Sequence, residues 1–521
     1  MVHETTSSVW QVLTDPLHRP PVTENEQVEV CVVGAGIAGL SAAYELACEG
    51  RRVLVVADRP VGFGNTGRTT AHLSNVLDDR FDTVSRVHGT DRTRLAQESH
   101  AVAIRRIEEI VAAERIECAF LRLPGFLFLA PGQRPERLHH ELDAARRCGI
   151  AEVEFLPNGP EAGFATGPCL SFAGQAQLQP LDYVKGLAQA VERRGGRIAT
   201  GQAVEAIEGG RPAQVRLRNG PIVTAGAVVV ATNSPISDRL AVHSKQEPNR
   251  TYVIALAIQR GIVRPGLYWD DGEPYHYVRL QPIGDEGKRR IGFDMPGEVD
   301  LLIVGGEDHR TGSPAQGQER FGRLEAWARE RIGASGPVVA RWSGQVYEPV
   351  DFFAFIGEDP EQGSNVFLAT GDSGQGMTHG ALAGMLIRDL ALGRDNPFAA
   401  LYDPSRKTFT AAMEFARTNL DVARNYGEWL GPGEVGSVEE VAAGTGAVVR
   451  RGLKKYAVYR DSTGALEVRS ATCTHLGCIV HWNEVERSWD CPCHGSRFGT
   501  DGTVLNGPAR EALAKAEIEE R

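Results

Sequence analysis

The chain has 521 residues, with 56 basic and 67 acidic side chains and a formal net charge of −11. Hydrophobic residues make up 42% and charged residues 24%, a globular balance that excludes collagen-like, disordered and coiled-coil proteins. The acidic surface offers no footprint for nucleic acid or an anionic membrane, so the expected partners are small molecules or proteins.

Residues 1–27 form an N-terminal extension without the basic-then-apolar plan of a leader. No apolar run in the chain approaches the ~20 residues of a membrane span, so no transmembrane segment is expected and the expected compartment is the cytoplasm. A β-rich run over residues 28–33 leads directly into Gly34-Ala-Gly36-Ile-Ala-Gly39, a helical stretch over 40–49 and a second strand over 52–57. This is a dinucleotide-binding βαβ unit: the glycines permit the turn and close backbone approach, and the helix N-terminus faces the pyrophosphate. The acid expected on the ribose is Asp58, nineteen residues after Gly39. The motif alone leaves FAD and NAD open.

Further along, the loop Gly62-Phe-Gly-Asn-Thr-Gly-Arg68-Thr69-Thr70 follows the second strand, and Ala369-Thr-Gly371-Asp372-Ser-Gly374-Gln-Gly376-Met377-Thr378-His379 follows a β-run near residue 370. Both segments resemble the D-amino-acid-oxidase-like FAD family, which includes sarcosine and glycine oxidases. The resemblance implies an α/β FAD-binding domain of the Rossmann-like, glutathione-reductase type, with an inserted α+β substrate domain. It assigns residues 28–80, 175–240 and 345–425 to the FAD domain and 81–174 and 241–344 to the substrate domain. It also implies that Val204 covers the adenine, that Arg68, Thr69 and Thr70 run beside the FAD, and that Gly371 to Thr378 close over the ribityl chain and flavin ring. Asp372 would accept a ribityl hydroxyl. The positions that link flavin covalently in two relatives fall at Arg68 and near Tyr347, neither of the linking residue type, so dissociable FAD is expected.

The inserts hold strand-like stretches at 252–259 and 301–305 and helical patterns at 92–114 and 316–332. The polar aromatic run Tyr275-His276-Tyr277-Val-Arg279, with Arg341, Tyr347 and His379, supplies the candidate substrate contacts. Arg279 and Arg341 are expected to meet a substrate carboxylate, because a planar guanidinium matches it bidentately.

Past a Gly/Pro turn at 430–433, four of the nine cysteines fall within 21 residues, as Cys473-Thr-His475-Leu-Gly-Cys478 and Cys491-Pro-Cys493-His494. By donor type alone, two cysteines and two histidines suit a tetrahedral zinc or a two-iron cluster. The paired Cys-x-His and Cys-x-x-His loops resemble the Rieske [2Fe-2S] family. The resemblance implies an all-β domain over 426–521, with Cys473 and Cys491 on one iron, His475 and His494 on the other, and a Cys478–Cys493 disulfide tying the loops. Ser496 is then placed to donate to a cluster sulfur. Phe498 stands where many high-potential relatives have tyrosine, which predicts a lower potential.

Together these imply a flavin-dependent dehydrogenase acting on an amine or amino-acid-like substrate and passing electrons through the cluster to a redox protein or quinone. The alternative is a reductase fed by NAD(P)H for a partner oxygenase, disfavoured by the lack of a second GxGxxG after a strand. No two histidines lie four or five positions apart, as a Rieske oxygenase's mononuclear iron motif needs. A non-catalytic redox sensor is the third reading.

Overall fold

In the computed structural model, which describes residues 6–236, 242–313, 317–407, 425 and 427–518, the strands Glu26–Val33 and Val53–Val56 pair in parallel around helix Ile37–Cys48. Residues 30–33 and 53–56 are buried on both faces, as parallel strands covered by helices require. Arg197–Ala199 extends this sheet on one side, and Ile222–Asn233 and Val366–Thr370 extend it on the other, all in parallel. Antiparallel Phe355–Glu358 closes the edge beyond Val366–Thr370. Sequence-distant segments therefore meet in one sheet, with helix Gly376–Ala391 packed against Ile37–Cys48.

A nine-stranded sheet forms the second layer, and most of it is antiparallel. Its long strands Gln246–Gln259 and Val299–Arg310 pair over the stretches expected at 252–259 and 301–305. The helical pattern at 92–114 is helix Thr90–Glu114, and that at 316–332 is helix Gly317–Trp327 followed by a wider turn through Ile332. Two small antiparallel sheets make up the C-terminal region, over Gly446–Ser470 and His481–Asn506. No helix among the described residues is long and apolar enough to cross a membrane.

The described part of the N-terminal extension is built into the molecule. Ser8 and Gln11 form a reciprocal capping box on helix Val9–Leu13, and Trp10 is fully buried with its indole N–H donating to the Thr69 carbonyl at 2.7 Å.

Candidate functional site

Two helix N-termini converge on one cavity of about 530 Å³. Gly36 begins helix Ile37–Cys48 and Gln375 precedes helix Gly376–Ala391, neither capped by its own N-cap side chain; the Ile37 amide donates to Thr66 Oγ1 at 3.0 Å, and both positive helix ends face the cavity as an anion requires. Side chains are excluded where backbone must come close. A Cβ on Gly39 would lie 1.9 Å from the Gly34 carbonyl oxygen, and one on Gly34, whose φ is +112°, would lie 2.3 Å from that of Ala231. This cradle suits a dinucleotide, and the cavity continues past it as a flavin ring requires.

Of the predicted FAD contacts, Gly34, Gly36, Asp58, Arg68, Thr69, Thr70, Val204, Asp372, Gly374, Gly376 and Met377 line the cavity. Gly39, Gly371 and Thr378 lie behind its wall: Gly39 serves helix–strand packing, Gly371 takes a φ of +69° against Pro349, and Thr378 is fully buried. Asp58 is largely exposed at the cavity's far end beside Arg59. Arg68 turns its guanidinium to the Ser343 carbonyl at 2.6 Å and to Glu486 at 3.0 Å.

Of the residues expected to touch substrate, Arg279, Arg341, Tyr347 and His379 are not brought together. Strand His276–Ile283 does put Tyr275, Tyr277 and Arg279 on one side, as period two demands. Tyr275 and Tyr277 line the cavity, but Arg279 lies a layer deeper and does not. Its guanidinium donates to the carbonyls of Thr70, Ala71 and Leu178 at 2.9–3.1 Å and sits over the Trp10 ring at 5.3 Å. Arg341, on the edge strand Val338–Pro349, is exposed and pairs with Glu325 at 2.8 Å. Neither arginine reaches a substrate carboxylate in the cavity.

His379 does line the cavity, yet both ring nitrogens are committed. Nδ1 bonds the Asp372 carbonyl at 2.9 Å and Nε2 the His100 ring at 3.0 Å. Burial pulls its pKa down to about 4, so this neutral ring braces the flavin loop. Tyr347 is 1% exposed and sits behind the wall. Its amide faces Asp372 Oδ1 at 3.5 Å, and its hydroxyl lies 3.3 Å from the His494 carbonyl and 3.4 Å from that of Gly507.

Cys473, Cys491 and His494 are buried, and His475 is partly so. The amides of Cys473 and Cys491 are fixed by the carbonyls of Cys478 and Ser496, each at 2.8 Å, which shapes two facing loops. The two thiols are hydrogen-bonded to each other, and this first of all lowers Cys473 to about 7. The rings of His475 and His494 stand edge to face at 5.1 Å. Cys478 and Cys493 form a disulfide. Although the sulfurs of Cys478, Cys491 and Cys493 gather within 4.8 Å of one another, two of them are bonded together and are not thiolate ligands. The donor set left is two sulfurs and two imidazoles, which fits a [2Fe-2S] group held by Cys473, Cys491, His475 and His494.

Sequence reasoning missed several groups. His243 packs edge-on against His475 at 5.2 Å, and the C-terminal residues Val504 to Gly507, Ala509 and Arg510 form part of the cavity wall. Asp78, Asp308 and Trp269 line its other end. Asn506-Gly507-Pro508 does resemble the proline loop that shields Rieske clusters, but no local pattern places it on this cavity or marks the other positions, because they are assembled from segments distant in sequence.

The family model described as FAD dependent oxidoreductase matches residues 29–390, and the Rieske [2Fe-2S] domain model matches 431–517. A Bacillus subtilis protein described as a Rieske 2Fe-2S iron-sulfur protein, YhfW, is 30% identical over 99% of this chain and 98% of its own length. Gamma-glutamylputrescine oxidoreductase of Escherichia coli is 28% identical over 76% of this chain and 91% of its own. Glycine oxidase from Geobacillus kaustophilus shares the fold at 19% identity, with a TM-score of 0.60 over 74% of this chain and all of that one. With its glycine cradle and its two-sulfur, two-imidazole site, the chain belongs to the family of FAD-dependent oxidoreductases and carries a C-terminal Rieske [2Fe-2S] domain.

Proposed function

We propose that this protein oxidises a C–H bond beside an amine nitrogen and passes the electrons, within one chain, to its own Rieske domain and then to an external redox protein or quinone. When bound, the flavin supplies a two-electron acceptor and the cluster a one-electron carrier. The observation that carries the reading is the seam between the two cofactor sites. Asn506 and Gly507 of the Rieske domain line the same cavity as Gly34, Gly36 and Gly376. Tyr347 spans that seam, reaching Asp372 through its amide and the His494 carbonyl through its hydroxyl. Gln345 Nε2 adds a bond to the Gly495 carbonyl at 2.9 Å, and a Cβ on Gly495 would lie 2.9 Å from the Tyr347 hydroxyl, so close approach is built in.

Two similar proteins are named for amine-bearing substrates, gamma-glutamylputrescine and glycine, which supports an amine in this cavity. The chain's own part is positional: His379 and His100 brace the loop carrying Asp372, while Tyr347 and Gln345 hold the cluster loop against it.

Anaerobic titration with a panel of amines, and separately with NADH and NADPH, tests this by following flavin absorbance and the Rieske EPR signal together. Bleaching by an amine followed by cluster reduction, at a rate independent of protein concentration, is expected. Reduction by a nicotinamide alone would make the protein a reductase, and a rate that rises with protein concentration would place the transfer between chains.

A further inference from the structure

Resting on the dehydrogenase reading, the charge of the cavity's other end defines what it accepts. That end is lined by His72, Asp78, Trp269, Tyr275, Tyr277 and Asp308. The rings of Tyr275 and Tyr277 lie 5.5 Å apart, and the Tyr277 hydroxyl is anchored 3.0 Å from Thr251 Oγ1. Asp308, near the end of strand Val299–Arg310, has a buried Oδ1 with no hydrogen-bond partner among the described residues. Behind this lining stand more carboxylates. Asp79 accepts from the Ser373 hydroxyl at 3.2 Å and Glu348 from Asn249 at 2.7 Å.

The arginines that line the cavity are elsewhere. Arg59 lies beside Asp58, Arg218 bonds the Arg510 carbonyl, Arg510 bonds the Glu205 carbonyl, and Arg68 turns to Glu486. Arg80 and Arg320, the cations near Asp78 and Asp308, donate to the backbone carbonyls of Asp271 and Glu307 and line no part of the cavity. Asp78 is open to the cavity, where the surrounding protein shields its carboxyl from bulk water. Its confinement, and then repulsion by Asp79 and Asp308, push it up to about 8, while burial pushes Asp308 up to about 7. A carboxylate ligand would add a further negative charge to this group. An ammonium would relieve the repulsion, satisfy Asp308 Oδ1 and lie against aromatic faces that attract cations.

We infer that this end of the cavity receives an aliphatic amine as its ammonium cation, with no carboxylate beside the reacting carbon. The substrate class is then alkylamines and diamines rather than α-amino acids.

The holoprotein tests this with two probes of one shape and opposite charge, tert-butylammonium and pivalate. Neither carries a hydrogen on a carbon next to nitrogen, so binding is read without turnover, by calorimetry and by the shift in flavin absorbance. Tert-butylammonium is expected to bind at least about tenfold more tightly than pivalate, and Asp308→Asn to reduce that affinity about tenfold with flavin content retained. The wild-type comparison stands even if the variant fails to fold. Equal or tighter pivalate binding, or no ammonium binding, overturns the inference. If pivalate binds and sarcosine bleaches the flavin, the cationic class fails while the dehydrogenase reading survives. If neither probe binds and only a nicotinamide bleaches it, both fall.

Discussion

Ser496 shows how much a single hydroxyl decides. Its Oγ accepts the Ala509 amide proton at 3.0 Å, which leaves its own proton for the Cys473 sulfur. A donor at a cluster sulfur favours the more negative, reduced state. Losing a hydrogen bond to a charged group costs roughly 1.5–3 kcal/mol, or about 60–130 mV for a one-electron couple. Ser496→Ala is therefore expected to lower the cluster potential by that amount in an EPR-monitored redox titration. Phe498, fully buried among Cys473 and Cys491, supplies no such donor, and Phe498→Tyr is expected to raise the potential. An unchanged potential in both variants would refute this account. The cysteine–histidine loops of the Rieske domain were legible because their spacing is local. The roles of Arg279 and Arg341 were not, because a guanidinium's partner is chosen by packing: one found three backbone carbonyls and the other a surface glutamate.

Among the elements, the short turn Glu428–Leu430 is clasped to the Rieske domain through one imidazole. His481 bonds Glu428 and Glu434 at 2.8 Å each, one carboxylate on each ring nitrogen, which makes it an imidazolium. Burial works to lower its pKa, but the two carboxylates overcome this and raise it to about 9. A raised folded-state value stabilises fully below the unfolded value near 6.5 and is lost as pH rises through about 9. Both glutamates are about a third exposed, so the contribution is discounted to about 1–2 kcal/mol. Denaturant unfolding should show His481→Gln costing that much at pH 6 and almost nothing above pH 9, and a pH-independent difference would contradict the clasp. At this scale the strong periodic segments were readable, including Ile37–Cys48 and Thr90–Glu114. Helix Val9–Leu13 was not, since five residues carry little periodicity and their order comes from Trp10 being buried.

At the scale of the molecule, the Rieske domain is locked to the rest by a buried charge. Glu486 is 1% exposed and accepts from Arg68 at 3.0 Å and Arg250 at 3.2 Å, with the Ser343 hydroxyl at 2.5 Å. Removing one member of such a group strands the opposite charges away from water, at a cost of about 3–5 kcal/mol. Glu486→Ala is expected to lower global stability by about that much and to loosen the domain seam, seen as faster hydrogen exchange along Val338–Pro349 and His481–Asn483. A change confined to one domain would argue that the seam does not depend on this ion group.

By itself the sequence pointed to both cofactors, because a glycine turn between a strand and a helix, and two short cysteine–histidine loops, are each complete within a few tens of residues. It also carried the strands and helices whose periodicity is strong. Only the tertiary structure decided that Tyr347 and the Asn506–Gly507 segment join those sites into one wall, that Arg279 and Arg341 stay out of the cavity, and that Asp78 and Asp308 stand in it. The physical reason is the same in each case. A cavity's charge and a seam's contacts depend on which side chains meet across sequence separations of hundreds of residues, and burial, which sets the energy of every such meeting, exists only once the chain has folded.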